Sequence, residues 1–164
     1  MNFKDGIRTQ FSVADFFLQT YVGDLTPAEL ITRPVPGANH IAWQLGHLIA
    51  AETRLVDAAA PGKMPALPDG FMERHTKDTA ASDNAADFLA KEEYLALAKT
   101  VRAATLQTLD SLGEADFDKA VSSNRLPPFI KRVGDCFVVA AGHWVLHSGQ
   151  WVVLRRQLGR DRKF

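Results

Sequence analysis

Cysteine is almost absent from this sequence of 164 residues: Cys136 is the only one. A single thiol excludes an intrachain disulfide and any Cys-rich zinc or iron–sulfur site, so a reducing cytoplasm is the expected setting. Net charge is missing as well. Nineteen basic residues balance nineteen acidic ones, which leaves no global field to draw in nucleic acid or an anionic membrane. No segment keeps up period-two alternation, and no hairpin dipeptide sits between β-branched runs, so strands are not expected. The N-terminal MNFKDGIRTQF has neither the apolar run of a secretory signal nor, with Asp5, the acid-poor character of a transit peptide.

Charge is locally absent in one further place. Residues 136–154 contain no Asp, Glu, Lys or Arg over about the length of a membrane span. His143, His147, Ser148 and Gln150 lie within that run, and each would be costly in lipid, so it reads as a helix buried in protein.

What the sequence does contain is well punctuated. Its eight prolines fall in three groups, at 27–36, 61–68 and 127–128. Proline removes a donor and clashes with the preceding turn, so these groups mark breaks between helices. In the first segment Phe3, Ile7, Phe11, Ala14, Leu18 and Val22 recur at helical spacing and Gly23 follows as a cap. Thr26-Pro27-Ala28-Glu29 is a capping box that opens a short turn of helix. Asn39 is positioned to cap a second helix running to about Ala59, and a third runs from about Lys91 to Gly113. A last helix is expected from about Asp135 to Leu158, closed by Gly159. The long Pro61 to Ala86 stretch carries Phe71 and Met72 as its only bulky apolar pair, and loops of that length are uncommon unless functional or disordered. The expectation is a single all-α domain over residues 1–164. Its architecture would be a four-helix bundle with long crossover loops and short extra helical turns.

His143 and His147 stand four apart, so both imidazoles project from one face of the last helix, one turn apart, at a separation that can grip one metal ion. Gln150 is one turn further on. Two such histidines can also be satisfied by ordinary hydrogen bonds, but in an uncharged helix buried polar groups need partners. His47, next to Gly46 on the second helix, is the natural third ligand. His40 lies about 10 Å away from it along a straight axis and cannot join the same ion. The same spacing separates Cys136 from His143 and makes the thiol a small buried apolar group. His75, in the long loop, reads as a surface histidine. Gln44 and Gln150 could orient a ligand or satisfy buried donors. Glu52 reads more readily as a structural partner for an arginine than as a carboxylate serving the site. Trp43, Trp144 and Trp151 read as core filling. The basic end, with Arg155, Arg156, Arg160, Arg162 and Lys163, is explained by the dipole of the helix it closes.

Together, His47, the run His143-x-x-x-His147-Ser148-Gly149-Gln150 and the closing Arg155-Arg156-Gln157-Leu158-Gly159 resemble the DinB-like (DNA-damage-inducible) superfamily over essentially the whole chain. The resemblance implies a four-helix bundle, a divalent ion held by His47, His143 and His147, and a homodimer. It implies no single reaction: relatives include thiol-dependent transferases and a thiol-dependent maleylpyruvate isomerase. Three neutral ligands leave an ion its full charge and an open position, the arrangement of a catalytic site. Zinc, nickel and iron all suit imidazole. The expected activity is a metal-dependent transferase or hydrolase acting on a small molecule. Any sulfur nucleophile would come from a low-molecular-weight thiol, because the chain has none within reach. The alternative is a non-enzymatic stress-response module with a structural ion, whose fourth ligand would come from Glu73, His75 or Asp78. No residue is singled out as catalytic, and neither nucleic acid nor a membrane is expected as a partner.

Overall fold

A computed structural model of the chain describes residues 1–121 and 126–161. Among these residues the protein is all helical and has no strand. Only an isolated bridge between Ala120 and Arg132 departs from helices, turns and coil. Five α-helices follow in order: α1 (Phe3–Val22), α2 (Pro27–Leu30), α3 (Ile41–Ala59), α4 (Lys91–Ser111) and α5 (Val133–Gln157). The helix ends have local causes. Asn2 accepts from the Asp5 amide at 2.9 Å to start α1, and the Thr26/Glu29 capping box starts α2 as expected. The cap of α3 differs from expectation by one residue. His40, not Asn39, holds the cap position, where its Nδ1 accepts from the Trp43 amide at 3.1 Å. An imidazole lone pair does there what an Asn side-chain oxygen would have done. Helix α5 begins two residues before Asp135, because the Asp135 carboxylate reaches back to accept from the Lys131 and Arg132 amides, each at 2.9 Å. At the other end Gly159 takes φ +68°, the left-handed conformation that ends a helix without a Cβ clash.

Helix α5 packs against both α1 and α3, α3 packs in turn on α4, and α4 meets α1 over a smaller contact. Leu18, Val22, Leu45, Leu48, Tyr94, Trp144 and Trp151 fill one part of the core, and Ile7, Phe11, Val56, Leu109, Cys136 and Phe137 fill the other. Cys136 is buried, and burial pushes its thiol up to about 11. Helix α5 is the one helix among the described residues long and apolar enough to cross a membrane, and Trp144, Trp151 and Leu154 on it are buried against the rest of the protein.

Two charged groups sit deep in this core. Glu52, 1% exposed, faces Arg102 at 3.1 Å and accepts from Thr105 and from the Trp144 indole, both at 2.7 Å. Glu52 is therefore the structural partner of an arginine. Arg155 is also buried. It donates to both oxygens of Asp24 and to the Tyr21 carbonyl, while Arg160 grips Glu29 from α2. Arg155 stands in the last turn of α5, where a cation complements the dipole, and with Arg160 it also pins the end of α5 to Asp24 and Glu29. Arg162 and Lys163 lie outside the described residues.

The long connection from α3 to α4 is folded against the helices. Short 3-10 turns form at Glu73–His75, Lys77–Thr79 and Ala85–Asp87, and Phe71 is fully buried. Arg33 donates to the carbonyls of Ala38, Ala80 and Ser82, and His40 Nε2 donates to the Ser82 carbonyl at 3.0 Å. The Trp43 indole donates to the Thr76 carbonyl at 3.2 Å. These bonds latch the loop to the start of α3, the helix that carries His47.

Candidate metal centre

Helices α3 and α5 bring His47, His143 and His147 together, with one potential ligand atom from each within 4.8 Å of the others. The ring centroids are 5.0 Å apart for His47 and His143, 5.6 Å for His47 and His147, and 4.8 Å for the two on α5. Glu73 and Asp78 are exposed and outside the cluster, and Gln150 is exposed.

The hydrogen bonds around His147 determine which of its nitrogens is free. The Trp151 indole, which can only donate, points at Gln44 Oε1 from 3.0 Å, so the Gln44 atom there must be the carbonyl oxygen. Gln44 Nε2 accordingly donates to the Asn39 carbonyl at 2.6 Å. His147 Nδ1 meets the same Oε1 at 2.9 Å and must donate to it. Its Nε2 is left with a lone pair, aimed at His143 Nε2 3.1 Å away. Two nitrogens bound tetrahedrally at about 2.0–2.1 Å from one ion would lie about 3.3 Å apart, close to that spacing. The donor set therefore fits a divalent ion.

His47 is fixed differently. Its ring stacks on Trp43 with centroids 4.8 Å apart and planes inclined by 11°, and the His75 backbone lies close enough to favour its protonated form. Contacts that hold the ring of a ligating histidine fix its aim. Burial is the main reason all three imidazoles resist protonation. It pulls His147 down to about 3 and His143 to about 4, helped by the neighbouring histidines, and lowers His47 against the opposing pull of the His75 carbonyl. All three are neutral near pH 7, the form that binds metal.

The expectation that His75 is a surface histidine is overturned. It is 4% exposed, its Nδ1 donates to the Phe71 carbonyl at 2.8 Å, and its Nε2 accepts from the Tyr94 hydroxyl at 2.7 Å. Both nitrogens are committed, so the ring does not join the cluster, yet the backbone of the same residue orients His47. Gly46 makes this possible: a Cβ there would fall 2.1 Å from His75 Nε2. The close approach at Gly46 is made by the long loop. Gln44 fulfils both roles weighed for it, satisfying Trp151 and orienting His147.

Beside His143 opens a cleft of about 730 Å³, walled by Leu55 and Ala58 from α3, Val139 and Leu146 from α5, and Phe129 and Ile130 from the second crossover. Arg54 lies on its rim, and its positive charge contributes to lowering both His47 and His143. Sequence reasoning missed this residue, although it stands two helical turns after His47 on the same face.

An all-helical protein that gathers three neutral histidines from two helices beside an open cleft belongs to the general class of candidate metalloproteins with an accessible site. A family model described as the DinB superfamily matches residues 17–151, and the chain belongs to that superfamily. The matched stretch contains all three histidines, Gln44 and His75. No curated protein matches the chain.

Proposed function

We propose that His47, His143 and His147 hold a divalent ion of the zinc, nickel or iron kind, and that the protein is a metal-dependent transferase or hydrolase acting on a small molecule, with a low-molecular-weight thiol as co-substrate. The observation that carries this reading is the aim of the His147 Nε2 lone pair, set by Trp151 and Gln44, at His143 Nε2. An ion held there would supply Lewis acidity to a substrate or thiol in the adjoining cleft. The chain's own residues do the rest: Gln44 and the His75 carbonyl keep two rings oriented, Trp43 backs His47, and the cleft gives access past His143. A closed structural ion would need a fourth protein ligand. His75, the best-placed candidate, has both ring nitrogens occupied, which favours the open, reactive site over the structural one.

In the same reading the chain is one cytoplasmic domain over residues 1–164, a four-helix bundle that pairs as a homodimer. Supporting the dimer, Val138, Gly142, Val145, Gly149 and Val153 recur on one side of α5, and Val138 and Val153 are 42% and 46% exposed. A monomeric mass at micromolar concentration would overturn that part.

The deciding experiment is metal analysis of tag-free protein alongside a His147→Ala variant, followed by a screen of metal-loaded protein against small thiols with electrophilic or ester substrates. Stoichiometric metal in the wild type, its loss in a folded variant and thiol-dependent turnover are expected. Absence of stoichiometric metal under replete conditions would refute the site, and unfolding on chelation would favour the structural ion.

A further inference from the structure

The walls of the cleft repeat one pattern on two helices. On α3, Ala51, Arg54 and Ala58 recur at steps of three and four, starting one turn after His47; on α5, Val139, His143 and Leu146 do the same. The two stripes line one cleft, and on α5 His143 lies between the apolar Val139 and Leu146. Among the described residues Arg54 is the only Lys or Arg lining this cleft. It is exposed, whereas Arg8, Arg33, Arg102, Arg132, Arg155 and Arg160 are each paired with a carboxylate. No carboxylate among the described residues lies within 4.0 Å of Arg54. The one acid in the cleft, Asp57, accepts from the Gly62 amide at 2.9 Å and so caps the loop after α3. Arg54 also borders a smaller cleft of about 390 Å³ that contains Asp69 and Glu73, yet it pairs with neither. Arg54 and His143 line the same larger cleft.

We infer that this cleft binds an amphipathic carboxylate, with Arg54 receiving the carboxylate and Leu55, Ile130, Val139 and Leu146 covering the apolar body. A guanidinium presents parallel N–H donors that match the two oxygens of a carboxylate. The apolar walls contribute in proportion to the area that they remove from water. The inference deepens the metal-centre reading, on which it rests for the claim that the reacting end of the ligand meets the histidines. Carboxylate binding at Arg54 requires no ion.

The test is a binding titration of sodium octanoate and of neutral octanamide against metal-free and metal-loaded wild type, Arg54→Gln, Arg54→Lys and Ala58→Trp proteins, and against His147→Ala protein, each checked for helicity. In the wild type, octanoate should bind about tenfold more tightly than octanamide, with or without metal. Arg54→Gln should level the two, Arg54→Lys should restore part of the difference, and Ala58→Trp, which fills the cleft, should weaken both ligands. His147→Ala should keep the preference. Equal binding of the two ligands by the wild type would overturn the proposal, as would a preference unchanged in Arg54→Gln or binding unaffected by Ala58→Trp. A preference that appears only with metal and vanishes in His147→Ala would assign the carboxylate to the ion, refuting the role of Arg54 while supporting the metal centre. A preference that depends on Arg54 in protein that never takes up metal would uphold the carboxylate site and refute the metal centre.

Discussion

Replacing Gln44 separates a core hydrogen bond from a device that aims a ligand. Its Oε1 accepts from the Trp151 indole at 3.0 Å and from His147 Nδ1 at 2.9 Å, so Gln44→Ala strands two buried donors. Each stranded donor costs about 1–3 kcal/mol, giving about 2–6 kcal/mol of lost stability, with the lower end reached where water enters the gap. A second loss concerns the ion. Without an acceptor at Nδ1, His147 can place its proton on Nε2 and turn its ring, and losing such a partner typically costs about 10–100-fold in metal affinity. Gln44→Glu discriminates the two effects. A buried protonated glutamic acid offers one carbonyl oxygen toward Trp151 and His147 and one hydroxyl toward the Asn39 carbonyl, reproducing the pattern of the glutamine. Competition with a chromophoric chelator at neutral pH measures the affinity, and urea unfolding of metal-free protein measures the stability. Gln44→Ala should fall in both, whereas Gln44→Glu should keep most of the affinity. A Gln44→Ala protein that is less stable but holds metal as tightly as the wild type would refute the orienting role.

Three further outcomes follow from the same contacts. Metal-free protein should lose stability on acidification: the unfolded histidines take up protons near 6.5, while folded His143 and His147 refuse them until about 4 and about 3. The unfolded state thus binds more protons throughout that window, and stability falls as pH drops from 6.5 toward 3; urea midpoints that stay flat over this range would contradict the burial of these rings. Gly46→Ala puts a methyl 2.1 Å from His75 Nε2, so the His75 ring must move and break its bond to Tyr94. Overpacking and one lost hydrogen bond together cost about 2–4 kcal/mol, and metal affinity should drop as the His75 carbonyl leaves His47, both readable in the same chelator and urea assays. Glu52→Ala leaves buried Arg102 with only the half-exposed Asp15 carboxylate, 3.6 Å away, and should cost about 3–5 kcal/mol while the metal content of the folded fraction stays unchanged.

The helices and the His143/His147 pair were legible in the sequence because their signals are local, and His47 was added to the pair by the family resemblance. Proline groups, capping residues and apolar spacing act within a few positions, and so does the one-turn separation of His143 and His147. What escaped depended on distant partners. His75 lies in a stretch whose composition says only that it is a loop, and its burial depends on Gly46, Phe71 and Tyr94 meeting around it. A glycine inside a helix can mark a close approach, but nothing near Gly46 in the chain identifies the occupant. Arg155 reads as a dipole-complementing cation, and only the fold brings Asp24 to it from 131 residues away.

The distribution of charge inside the fold bears on what the site can accept. Glu52 is the one fully buried carboxylate among the described residues, and Arg102 with two hydrogen-bond donors neutralises it. The acids of the long loop and of the cleft are exposed or turned to backbone amides, as Asp57 is to Gly62. A divalent ion among three neutral imidazoles would therefore keep its whole charge, with Arg54 adding another positive charge on the same side. Like charges in a partly desolvated site raise each other's cost. An anionic ligand relieves that cost, and a neutral one does not. Salt should therefore weaken octanoate binding to metal-loaded protein more than to metal-free protein, because screening removes two attractions in the first case and one in the second. Equal salt dependence in the two forms would mean that the ion and Arg54 do not act on the same ligand.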